Sequence, residues 1–171
     1  MVSDPHWTAY LSALLIPIVA LIGLSIAFRQ WSTARDKLKH DLFERRFSVF
    51  EVARNFCISM ADLGKIEGDE GRKLSYKSSE AKWLLNQEIS TYIAELLDKG
   101  MELDFLSSEL YDLYEKNPGS QYVSVELERI PKPVHEEIAT KRQTQERNMK
   151  WFHEQIDVLD EKFSPFLTLK H

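Results

Sequence analysis

Residues 7–28 contain no charged side chain, and this run limits the chain's architecture more than any other feature. It reads Trp-Thr-Ala-Tyr-Leu-Ser-Ala-Leu-Leu-Ile-Pro-Ile-Val-Ala-Leu-Ile-Gly-Leu-Ser-Ile-Ala-Phe. As an α-helix it would rise about 33 Å, enough to cross a hydrocarbon core of about 30 Å. A cleaved signal peptide needs a basic start and a shorter apolar stretch. Here Met-Val-Ser-Asp-Pro-His precedes the run, without Lys or Arg. The run is therefore expected to be a transmembrane helix.

The flanks orient it. Asp4 stands before the run, and Arg29, Arg35, Lys37, Lys39, Arg45 and Arg46 follow it. Basic residues beside a span mark the cytoplasmic side. The expected layout is a short external N-terminus (1–6), a span (7–28) and a cytoplasmic domain (29–171), in a bacterial inner membrane. Trp7 and Tyr10 at one end, and Phe28 and Trp31 at the other, suit interfacial aromatic belts. Pro17 is tolerated mid-span, because neighbouring groups can satisfy the carbonyl it leaves open.

Small residues recur along one stripe, Ala9, Ala13, Ala20, Gly23 and Ala27, interrupted at Ile16. Such a stripe lets membrane helices approach closely, so it is the expected helix-association seam of a homo-oligomer. A pore is disfavoured. Thr8, Ser12 and Ser25 are the span's only aliphatic hydroxyls, and only the Tyr10 phenol is ionisable; ion pathways usually carry more.

The remaining chain reads as helical. No Gly or Pro interrupts residues 29–63. Leu38, Leu42, Val49, Ala53, Phe56, Met60 and Leu63 recur there at helical spacing, beside Phe43, Phe47 and Phe50. With the span this would make one helix of more than fifty residues, capped by Gly64. Residues 64–75, with three glycines and six charges, read as a surface loop. A second helix is predicted over Ser78–Lys99, ended by Gly100, and a third over Glu102–Lys116 before Asn117-Pro118-Gly119. Residues 120–133 alternate at Tyr122–Leu127 but have no evident partner strand, so they read as extended loop. The last helix is predicted over Val134–Phe163, opened by Pro133 and stopped by Ser164-Pro165. Its Met149, Phe152, Ile156, Leu159 and Phe163 form a heptad-like seam, for the domain's own core or for a second copy. Phe166, Leu167 and Leu169 should dock on the bundle. The fold class is all-α: one membrane helix, then a cytoplasmic bundle of about four helices.

Two ends of the chain carry matchable motifs. One is Gln30-Trp31…Lys37-Leu38…Asp41-Leu42-Phe43-Glu44-Arg45-Arg46-Phe47; the other is Trp151-Phe152…Phe163-Ser164-Pro165-Phe166-Leu167. Together they resemble a group of small bacterial single-span membrane proteins. The resemblance implies a bacterial source and a cytoplasmic C-terminal domain. It brings no activity and no site residues. Within the first motif, Lys37, Asp41 and Arg45 stand four apart and could pair, at roughly 0.2–0.5 kcal/mol each. The six membrane-proximal basic residues either form a solvated face or contact anionic headgroups, at about 1 kcal/mol per residue.

Catalytic signals are weak. The chain carries −5 overall and −4 beyond Asp4, which argues against a general nucleic-acid binder. Cys57 is the only cysteine, so an intrachain disulfide is excluded. No pair among His6, His40, His135, His153 and His171 has helical metal-ligand spacing, and no cofactor motif occurs. Arg147-Asn148…His153 is similar to the Arg–His spacing of helical ribonucleases of the HEPN type. Arg35–His40 and Arg129–His135 also fit, as expected when about one match arises by chance. The expected function is a non-enzymatic, membrane-anchored module. Its partners would be the lipid bilayer, further copies of itself or an unidentified protein. A membrane-disrupting effector, for instance in antiviral defence, and a membrane-anchored ribonuclease are the alternatives.

Overall fold

A computed structural model describes residues 7–117 and 132–168, with side chains from Pro17 onward. Four α-helices account for almost all of it: α1 (Trp7–Leu63), α2 (Glu70–Leu84), α3 (Gln87–Lys116) and α4 (Lys132–Phe163), followed by one 3-10 turn at Ser164–Phe166. The chain is all-α, with no strand among the described residues. The strand-like alternation at 122–127 lies outside them. Among the described residues no helix is long and apolar enough to cross a membrane. The span expected over 7–28 is therefore unsupported by the described part of α1.

The chain divides into two compact units, residues 1–42 and 43–171. α1 is one helix of 57 residues, as the lack of breakers beyond Pro17 predicts. It ends where expected. Gly64 adopts φ +64°, a conformation natural only to glycine, and its N–H donates to the Met60 carbonyl at 3.1 Å.

Two boundaries differ from the sequence reading. α2 starts at Glu70, so the loop is half as long as its glycines suggested. Asp69 stabilises that start by pairing with Lys73 at 2.8 Å, and this pairing holds its carboxyl below the usual range. The predicted 78–99 helix is also two helices. It breaks at Leu85-Asn86, where the Asn86 Oδ1 accepts the Ile89 N–H at 2.8 Å and caps α3. The apolar stripe runs through Leu84, Leu85 and Ile89 without interruption, which hid the break. α2 and α3 are clasped just beyond it. The Ser78 hydroxyl donates to the Ser90 carbonyl at 2.9 Å, and the Ser90 hydroxyl returns a bond to the Ser78 carbonyl at 2.8 Å.

Gly100 does not end a helix. It lies buried inside α3, which runs unbroken through it. The Phe56 ring occupies the space where a side chain would stand: a Cβ there would lie 2.4 Å from Phe56 Cζ. Phe56 in turn meets the edge of Phe152, with centroids 6.1 Å apart. Around this contact the core of unit 2 gathers Val49, Ala53 and Met60 of α1, Leu74 and Ala81 of α2, Ile93, Leu96 and Leu103 of α3, and Leu159 and Phe163 of α4.

The seam on α4 is consumed by this core. Phe152, Leu159 and Phe163 are fully buried, and Met149 and Ile156 pack against them. The seam thus closes unit 2 from within. Phe166 and Leu167 pack on the same core, matching the expected docked tail. Leu169 lies outside the described residues.

Candidate functional site

In unit 1 every described side chain, from Pro17 to Leu42, is exposed. Ile18, Val19, Leu21, Ile22, Leu24, Ile26 and Phe28 are each at least 46% exposed. At about 100° per residue these seven cover roughly two thirds of the helix's circumference, and Ala20, Gly23 and Ala27 occupy the remaining sector. A helix apolar on all sides belongs in a core or a bilayer. Of the seam, Ala20, Gly23 and Ala27 share this bare surface, and a Cβ at Gly23 would meet nothing within 4 Å. Ala9 and Ala13 lie outside the described side chains.

The character changes after Phe28. Arg29, Arg35, Lys37 and Lys39 are all exposed. The Arg35 guanidinium lies 5.7 Å from the Trp31 ring, and Trp31 lies 6.0 Å from Phe28. Lys37 and Asp41 are both exposed, so a pairing between them would be worth little.

Arg45 and Arg46 belong to unit 2, and Arg46 differs from the other five basic residues in being engaged by the fold. It is half-buried, and its Nε donates to the Leu84 carbonyl at 2.9 Å. That carbonyl belongs to the last residue of α2, where a helix leaves acceptors unpaired. Arg46 is thus a cap supplied from another helix. The partners stand 38 residues apart, so no local pattern announces them. Arg46→Ala should lower the stability of unit 2 by about 1–3 kcal/mol, with Arg46→Lys recovering only part of it. Thermal unfolding of the two variants tests this.

The HEPN-like pair is not brought together. Arg147 and His153 are both exposed, and six residues of helix place them about 120° apart around α4. Arg147 lines a small cavity between α3 and α4 with Lys99, Glu102, Asn148 and Trp151; His153 does not. The cavity wall is braced by the Lys99 ammonium, 5.2 Å from the Trp151 ring. His6, His171 and Arg129 lie outside the described residues. Among the described residues no cluster of three or more His, Cys, Asp or Glu could hold a metal ion.

Two further features went unseen in the sequence. The first is the α1–α2 turn, held by side chains from α3 and α4. Asp104 accepts the Ile66 N–H at 2.8 Å, the Ser107 hydroxyl donates to the Gly64 carbonyl at 2.6 Å, and Gln145 donates to Ser107 at 2.9 Å. These bonds pair the turn's own backbone, a structural role. The second is Cys57. It is fully buried, and burial pushes its thiol up to about 12. The adjoining Tyr92 phenol is also raised by burial, and its hydroxyl donates to Gln155 at 2.9 Å. A thiol that stays protonated is a poor nucleophile. Cys57 should therefore resist maleimide in the folded chain at pH 8 and label promptly in denaturant. Because its native pKa is raised, its stabilising contribution is complete below pH 9, the unfolded value, and is lost as pH rises toward 12. The melting temperature should fall across that window.

Compared with protein-family models, curated proteins and solved structures, the chain matches none.

Proposed function

We propose that this chain is a single-pass membrane protein of the bacterial inner membrane. Its cytoplasmic helical unit is a non-enzymatic module that self-associates or binds a protein partner there. One observation carries the reading: the bare apolar surface of unit 1, from Ile18 to Phe28, on every side of the helix. Seven large apolar side chains in water are costly, at roughly 1.5–3 kcal/mol each relative to burial. Lipid supplies the missing cover for all faces at once. The uncharged residues 7–16 extend the run to a length that spans a bilayer. Arg29, Arg35, Lys37 and Lys39 hold the following segment on the cytoplasmic side. The Ala9–Ala27 stripe is the proposed contact between copies.

The test is direct. Membranes from cells making the full chain are washed with alkaline carbonate. The chain should stay in the pellet and leave it only with detergent; recovery in the wash overturns the reading. A C-terminal fluorescent reporter should be active and a C-terminal periplasmic phosphatase reporter silent. The opposite pattern reverses the proposed orientation. Crosslinking in those membranes should trap multimers, and Gly23→Leu should reduce them.

A further inference from the structure

Unit 2 gathers two cations around the small cavity between α3 and α4. Lys99 and Glu102 come from α3; Arg147, Asn148, Trp151 and Phe152 come from α4. The cavity holds about 160 Å³. At about 30 Å³ per water, that is room for roughly five waters. Its walls are fixed by the core. Phe152 is fully buried, and the Lys99 ammonium is held 5.2 Å from the Trp151 ring. Lys99, Asn148 and Trp151 are half-buried, whereas Arg147 is exposed, so the guanidinium stands at the solvent side.

The charge here runs against its surroundings. α3 carries two lysines against eight carboxylates. Lys141 and Lys162 of α4 reach across to two of those carboxylates, Glu109 at 2.7 Å and Glu88 at 2.9 Å. Lys99 and Arg147 do not follow them. Among the described residues no carboxylate stands within ion-pair distance of either, although Glu102 lines the same space. Two unpaired cations facing one cavity repel each other, and an anion between them removes that repulsion.

The donors also select the anion. A guanidinium fork, an ammonium and a side-chain amide converge from two helices. A carboxylate has two oxygens to offer them. A phosphoryl head has three, tetrahedrally arranged, and so can meet all three donors at once. Glu102, when ionised, only accepts hydrogen bonds, so it calls for a hydroxyl on the same ligand.

The geometry points to a binding site for a small hydroxylated phosphomonoester in this cavity. Arg147, Lys99 and Asn148 hold the phosphoryl head, and Glu102 accepts from a hydroxyl of the group esterified to it. Such a ligand bridges α3 and α4 and stabilises the folded unit that binds it. The module thereby gains a chemical input. The site lies wholly within unit 2 and does not depend on the proposed span.

The test uses the full-length chain in a non-ionic detergent, with Trp151 as the only indole (Trp7, Trp31 and Trp83→Phe). Trp83 is removed because at 82% exposure it would respond to any solute. Trp151 emission is titrated with glycerol 3-phosphate, inorganic phosphate and sodium chloride at matched ionic strength. Glycerol 3-phosphate should give a saturable change, inorganic phosphate a weaker one and chloride none. Arg147→Gln and Lys99→Gln should each raise the half-saturating concentration at least about tenfold. Glu102→Gln should reduce the preference for the ester over inorganic phosphate. Lys82→Gln, on the surface of α2, should change neither. Circular dichroism confirms that each variant retains its helices. Equal affinity for the two ligands overturns the monoester and leaves free phosphate as the occupant. No saturable change beyond that of chloride, or affinities untouched by Arg147→Gln and Lys99→Gln, overturns the site.

Discussion

Gly100→Ala will destabilise the folded chain, although alanine is the better helix former. In an exposed helix the change should gain about 1 kcal/mol. Here the added methyl would stand 2.4 Å from Phe56 Cζ and 2.8 Å from Cε1, far inside contact distance. The Phe56 ring has little room to move, because Phe152 abuts it on another side. Overpacking of this kind costs about 1–3 kcal/mol, so the net effect is a loss of up to about 2 kcal/mol. At roughly 2–4 °C per kcal/mol, differential scanning calorimetry will resolve it. Phe56→Leu in the same chain should relieve the clash, so that the double variant is more stable than the summed single effects. An additive result would mean that the two residues do not meet.

Phe152→Ala should have the largest effect of any single truncation, about 3–5 kcal/mol. Phe152 is fully buried between Phe56 and the edge of Trp151, 5.0 Å away by centroid. Its removal leaves a cavity that two rings line and neither can fill. The same variant checks that the α4 seam serves unit 2's own core and not a contact between copies. As part of unit 2's own core, Phe152→Ala lowers the melting temperature equally at all protein concentrations. As part of a contact between copies, the loss would shrink as concentration rises, because association would then be linked to folding.

Much of this fold can be read from residue order, and the misreadings share one cause. α4 is legible because both its ends are signalled chemically, by Pro133 at the start and by Ser164-Pro165 at the finish. Gly64 is legible because a glycine after the last apolar repeat position usually marks a helix end. Gly100 follows a stripe in the same way, yet it sits mid-helix, because its purpose is to admit a ring from 44 residues earlier. Local pattern cannot distinguish a glycine needed for its backbone from one needed for its missing side chain. Asn86 carried a usable signal, a capping side chain three residues before Ile89, but the apolar stripe on either side was stronger.

The candidate site divides in the same way. The bare apolar surface of unit 1 follows from composition alone, as do Arg29, Arg35, Lys37 and Lys39 beyond it. Arg46 looks like their equal in the sequence, but its true partner is a carbonyl at the end of α2. The Arg147–His153 spacing satisfies a motif in sequence while the helix turns the two side chains apart. Trp83 drew no notice because an isolated tryptophan is ordinarily core, and its exposure appears only once α2 has been packed.

The Ser78–Ser90 clasp also bears on the order in which the molecule assembles. Its two hydroxyls join residues only twelve apart, so α2 and α3 can close on each other at small cost in chain entropy. α4 lies at the far end of the chain and closes much larger loops. During synthesis the α2–α3 hairpin therefore precedes the rest. Until α4 emerges, Phe56 lacks Phe152, the aromatic neighbour that abuts it in the finished core. A nascent chain stopped before Lys132 would carry this unfinished surface, and that intermediate is the species for which a chaperone would have most use.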